Sequence, residues 1–120
     1  MAEGQGWERV TDEDFRARVL GSDTPAVVEM AADWCGACDI LEPIIQQIAR
    51  SFRGRVATYR MDVDESPATA ERFGIRQPPV LLFFSKGSLI EVIQGTAPRT
   101  RIVTTLEQLI ASDGPPADGS

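Results

Sequence analysis

Apolar and polar positions along the 120 residues change period several times, and each change marks an element. Ala26-Val27-Val28-Glu29-Met30-Ala31-Ala32 is an apolar run of strand length with a carboxylate in its middle. From Cys35 to Phe52 the apolar residues Leu41, Ile44, Ile45, Ile48 and Phe52 fall on one helix face. Pro43 removes one backbone donor there and is expected to kink the helix, which Arg53-Gly54-Arg55 ends. Val56 to Val63 alternates and predicts a strand, with Ala57, Tyr59, Met61 and Val63 opposite Thr58, Arg60 and Asp62. Ser66-Pro67 reads as a helix opening with a cap and a first-turn proline, and Phe73-Gly74 as its end.

The successive prolines in Ile75-Arg76-Gln77-Pro78-Pro79 fit only a loop. Val80 to Phe84 then reads as a buried strand, Lys86-Gly87-Ser88 as a turn, and Leu89 to Gln94 as the returning arm of a hairpin. A last helix follows Gly95 and Pro98, with Ile102, Val103, Leu106, Leu109 and Ile110 at helical spacing. At the start, Trp7 to Val10 suggests a short strand. Thr11-Asp12-Glu13-Asp14 suggests a helix start with capping-box spacing between Thr11 and Asp14. Phe15 and Val19 give that helix an inner face, Gly21 ends it, and Asp23-Thr24-Pro25 turns the chain.

The order is therefore β-α-β-α-β-α-β-β-α. Alternation of strands and helices implies parallel pairing with helices on both faces, and the hairpin adds antiparallel pairing. The fold class expected is α/β: a three-layer α/β/α sandwich around a five-stranded mixed β-sheet. One domain, residues 1–111, would hold all of it. Residues 112–120, rich in Gly, Pro, Asp and Ser, would be a flexible acidic tail.

Composition narrows the partners more than the fold. Apolar residues make up 42% and charged residues 25%, which is ordinary for a globular domain, and the net charge is -6. An acidic surface repels nucleic acid and anionic membranes, so neither is expected as a partner. Met1 to Val10 has no apolar core of a secretory signal, and no run nears the roughly 18 apolar residues of a membrane span. A cytoplasmic location is expected.

Both cysteines lie in Ala32-Asp33-Trp34-Cys35-Gly36-Ala37-Cys38-Asp39, between a strand and the first turn of a helix. In a reducing compartment such a pair points to catalysis or metal binding, and a bridge over so short a loop would constrain the unfolded chain little. Tetrahedral zinc asks for four ligands, and two cysteines without any histidine supply half of them unless two copies share a site. A helix N-terminus favours the thiolate of Cys35 through unpaired N–H groups and the helix dipole. Cys35 is then the attacking sulfur and Cys38, one turn deeper, the resolving one. Glu29 stands either on an exposed strand face or buried with a raised pKa, and its apolar flanks favour burial.

With Trp34-Cys35-Gly36-Ala37-Cys38 after one strand, Phe73-Gly74-Ile75-Arg76, and Pro79-Val80-Leu81-Leu82-Phe83-Phe84, the chain resembles the thioredoxin family from about Trp7 to Ile110. Pro43, Gly87 and Gly95 also match the family's pattern. The resemblance implies a protein-disulfide reductase whose redox element is the Cys35–Cys38 pair, with no cofactor or metal. Its implied partners are disulfide-containing client proteins and a thioredoxin reductase as electron donor, and the chain would act as a monomer. Glu29 occupies the place of a buried acid that accepts the resolving thiol's proton. Arg60 stands where lysine is usual, either pairing with Glu29 or lying on the surface beside the strand. Pro79 matches a cis-proline that aligns the client. Trp34, Gly36, Ala37, Pro78, Gly95 and Thr96 would complete the client-binding surface.

Four residues near the site depart from the family's pattern: Ala37 for proline, Asp39 for lysine, Ala31 for an aromatic residue, and Pro78 for isoleucine or threonine. Ala37 has a backbone N–H that proline lacks. Donated toward Cys35, it would favour the thiolate and make the pair more oxidising, while the anion Asp39 would act the other way. These departures also motivate a rival reading, a thioredoxin-fold chaperone or assembly module with little reductase turnover.

Overall fold

The apolar run at the centre of the chain becomes the centre of the sheet. In the computed structural model, which describes residues 7–113, strand β2 (Ala26–Ala31) is buried at every position. Strand β3 (Ala57–Asp62) lies parallel to it on one side, and β1 (Glu8–Arg9) pairs parallel with β3. Antiparallel strands β4 (Val80–Ser85) and β5 (Ser88–Gln94) extend the other side, giving the order β1-β3-β2-β4-β5. The mixed five-stranded sheet is the one the alternation of elements implied.

Helices cover both faces because the sheet's side chains alternate. Val27, Leu81, Phe83 and Ile93 face α1 (Gly36–Ser51) and α3 (Arg99–Asp113), burying Leu41, Ile45, Ile48, Ile102, Leu106 and Leu109. Val28, Met30, Tyr59, Met61, Leu82 and Phe84 face the opposite way, toward Phe15, Val19 and Ala70 of α2 (Pro67–Arg72). On that side Phe15, Phe73 and Phe84 pack as a ring trio with centroids 5.6 to 5.7 Å apart.

Several local expectations are corrected. The first helical segment is no helix from Thr11. Asp12 to Asp14 form a turn, and Arg16–Leu20 close a single π-helical turn. Asp14 does reach back as a capping box would, accepting the Thr11 N–H at 2.7 Å. Asp12 instead accepts the N–H groups of Ala68 and Thr69 at 3.1 and 2.9 Å, so it caps α2 from 56 residues upstream. Ser66, the expected cap, makes no such bond. Helix α1 continues through Pro43. Helix α3 ends at Asp113, and residues 114–120 of the expected tail lie outside the described residues. The hairpin turns at Lys86 and Gly87, both at positive φ (53° and 81°), the two-residue turn whose twist suits paired strands.

Candidate active site

Strand β2 runs out at Ala31, and the chain then turns so that Cys35 becomes the N-cap of α1. Its backbone is extended (φ -96°, ψ 104°), and its N–H donates to the Ala32 carbonyl at 3.2 Å. Cys35 Sγ accepts the Cys38 N–H at 3.1 Å. The donor to this sulfur is therefore Cys38, the third helical N–H, and not Ala37, the second, although N-cap geometry admits either. The two cysteines form a disulfide with their Cα atoms 5.3 Å apart. Cys38 is fully buried and Cys35 is 5% exposed, flanked by exposed Gly36 and Ala37. Ala31 and Ala32 pack beneath the pair, with Val63 alongside.

Strand register brings the other candidates to the same end of the sheet. Met30 pairs with Val80 and Ala31 with Asp62, so Pro79 and the β3–α2 loop both adjoin the segment that leads into Cys35. The Pro78–Pro79 peptide bond is cis, and both prolines are buried. Gly95 donates its N–H to the Pro79 carbonyl at 2.8 Å, at a positive φ of 79° that disfavours residues with a Cβ, and Thr96 beside it is exposed. Trp34 is 61% exposed, with its indole N–H donating to Asp64 Oδ2 at 2.7 Å. Asp64 was not legible in the sequence, since nothing local ties it to Trp34 thirty residues away.

Glu29 lies under this surface, on the sheet face that carries α1. It is 1% exposed, and both carboxylate oxygens lack a hydrogen-bond partner. Burial pushes its pKa from 4.5 up to about 7; the Arg60 charge opposes the shift and the Glu42 charge adds to it. Arg60 is neither paired with Glu29 nor a surface residue. Although it stands in register beside Glu29, its guanidinium bonds Glu42 of α1. Glu42 also accepts the Trp7 indole N–H at 2.8 Å and a Gln46 amide N–H at 2.9 Å, with the Arg60 guanidinium stacked 5.7 Å over Trp7. Sequence reasoning missed Glu42, whose only signal was its place one helical turn after Cys38.

A Cys-x-x-Cys disulfide held at a helix N-terminus, at the end of the central strand of an α/β sheet, defines a thiol–disulfide oxidoreductase. Comparison with known proteins agrees. The thioredoxin family model matches residues 6–108, and the chain belongs to the thioredoxin family. It is 36% identical to Thioredoxin 1 of Nostoc sp. over 100 residues, covering 83% of this chain and 94% of the relative. It is 34% identical to Thioredoxin of Synechocystis sp. over 102 residues, covering 85% and 95%. It is also 39% identical over 101 residues to a chloroplastic thioredoxin M4 of Arabidopsis thaliana, covering 84% of this chain and 52% of the relative. Disulfide-containing substrates and a reductase donor follow for the family in general. No helix among the described residues is long and apolar enough to cross a membrane.

Proposed function

We propose that the protein reduces client disulfides, with Cys35 attacking and Cys38 resolving. The observation that carries this reading is the unequal burial of the pair: Cys35 caps the helix beside exposed Gly36 and Ala37, whereas Cys38 is sealed beneath it. In the reduced protein, the Cys35 thiolate attacks one sulfur of the client disulfide, forming a mixed disulfide and releasing the client's other sulfur as thiolate. The Glu29 carboxylate takes the Cys38 proton. Cys38 Sγ then attacks Cys35 Sγ, the mixed disulfide breaks, and the client leaves as a dithiol. Two electrons have passed to the client, and the protein holds the Cys35–Cys38 disulfide.

A pKa near 7 suits Glu29 to that exchange, since a group titrating near ambient pH both accepts and returns a proton. Arg60 tunes this acid without touching the sulfurs. Trp34, Gly36, Ala37, Pro78, Pro79, Gly95 and Thr96 receive the client, with Pro78 offering its backbone carbonyl as an acceptor and Trp34 and Thr96 offering exposed side chains. A thioredoxin reductase in the cytoplasm re-reduces the monomer. The test is reduction of insulin disulfides by the purified protein with dithiothreitol as electron source. Precipitation of the insulin B chain well above the uncatalysed rate supports the reading. Its absence, with Cys35 still rapidly alkylated, would favour a binding module instead.

A further inference from the structure

Two spacings and an ion pair bring four residues together. Sheet register sets Glu29 of β2 beside Arg60 of β3. Helical spacing sets Glu42 one turn after Cys38 on α1, four residues on and therefore on the same face. An ion pair then joins Arg60 to Glu42 across the packed layers, with both side chains mostly buried at 15% and 20% exposure. Glu42 is itself fixed by Trp7 and Gln46, and Trp7 covers the guanidinium of Arg60. Arg60 thus has a neighbour able to accept its hydrogen bonds on either side, and it bonds the one on the helix. Glu29 is left with both oxygens unpartnered.

We propose that Glu42 is a positioning residue for proton exchange at the dithiol: by holding Arg60 in the Trp7–Glu42–Gln46 clamp, it keeps the cation off Glu29. A guanidinium bonded directly to Glu29 would lock it as a carboxylate. The carboxylate would then be a poor proton acceptor, because an acid with a pKa far below ambient pH holds a proton too weakly. Diverted to Glu42, Arg60 acts on Glu29 only through space, and its charge is largely offset by that of Glu42. Arg60 and Glu42 are the charges that bear on Glu29; its cross-strand neighbour on β4 is the apolar Leu81, and the disulfide on α1 is uncharged. The clamp therefore leaves burial to set the acid's affinity for its proton.

This inference rests on the proposed role of Glu29, so the test separates the two. The carboxyl carbon of Glu29 is titrated by NMR in the oxidised protein, where the cysteines do not ionise, for wild type, Glu42→Gln, Arg60→Gln and the double variant. Removing the Glu42 charge frees Arg60 to pair with Glu29, so Glu42→Gln lowers the Glu29 midpoint by about one pH unit or more, a tenfold change in proton affinity. Arg60→Gln raises it, and in that background Glu42→Gln has little further effect. An unchanged midpoint in Glu42→Gln overturns the proposal, as does an equal shift with and without Arg60. The pH profile of insulin reduction should move with the midpoint in Glu42→Gln, a readout that loss of helix packing alone would not move. If Glu29→Gln keeps the wild-type pH profile, the proton-acceptor role of Glu29 fails, while the titrations still decide whether Glu42 diverts Arg60.

Discussion

The indole N–H of Trp34 donates to the carboxylate of Asp64 at 2.7 Å, tying the residue before the dithiol to the loop that follows β3. Trp34 is otherwise exposed, so this bond is what orients its ring beside Cys35. Asp64→Ala should free the ring, change the tryptophan fluorescence of the oxidised protein, and lower kcat/KM for insulin reduction by about fivefold, the worth of roughly 1 kcal/mol from one hydrogen bond. Thermal stability should hardly change. Unaltered kinetics would show that the bond has no part in client reduction.

Glu29 also makes stability depend on pH. Its carboxyl is raised from 4.5 in the ordinary state to about 7 in the fold, so the folded protein binds this proton more tightly than the unfolded chain does. Stability from this group is then greatest below the unfolded value and falls as pH rises through the window between about 4.5 and 7. The loss above that window is on the order of 3 kcal/mol. Glu29→Leu removes the titrating group, so its stability gain over wild type should be larger at pH 8 than at pH 4 in urea denaturation. A gain equal at both pH values would contradict the buried, raised carboxyl.

The far face of the sheet carries stability and not chemistry. Phe84 meets Phe15 and Phe73 there, on the side opposite α1. Phe84→Ala should cost about 3–5 kcal/mol in denaturant unfolding. The fraction that remains folded should keep its rate of insulin reduction.

The hairpin turn gives a backbone test. Gly87 has φ 81°, and a Cβ there would come within 3.2 Å of the Leu20 carbonyl oxygen. Gly87→Ala should therefore destabilise by about 1–2 kcal/mol for the left-handed backbone alone. Chemical denaturation measures it directly, and a neutral outcome would show that the turn relaxes.

Most of the fold was legible because its signals are local. The stripe Leu41, Ile45, Ile48 and the alternation Tyr59, Met61 specify their own periods, and the paired prolines at 78 and 79 exclude regular structure. What escaped depends on contacts between distant segments. Asp12 caps α2 only because the turn after β1 packs beside Ala68 and Thr69, while Ser66 carried the local capping signal and makes no cap. The same holds in the site. Cys35 and Cys38 declare themselves by spacing, and Glu29 by a charge in an apolar run. The choice Arg60 makes between Glu29 and Glu42 follows from how α1 docks on β3, which no period along the chain encodes.

Labour at the site is divided between an attacking Cys35 and a resolving Cys38. This division is tested by incubating the reduced Cys38→Ser and Cys35→Ser variants with a disulfide-containing client and resolving the products under non-reducing conditions. Cys38→Ser should accumulate a stable mixed disulfide through Cys35, because the sulfur that would release the client is gone. Cys35→Ser should trap little or none, since Cys38 is fully buried. Trapping through Cys38 in place of Cys35, or by neither variant, would overturn this assignment of the two sulfurs.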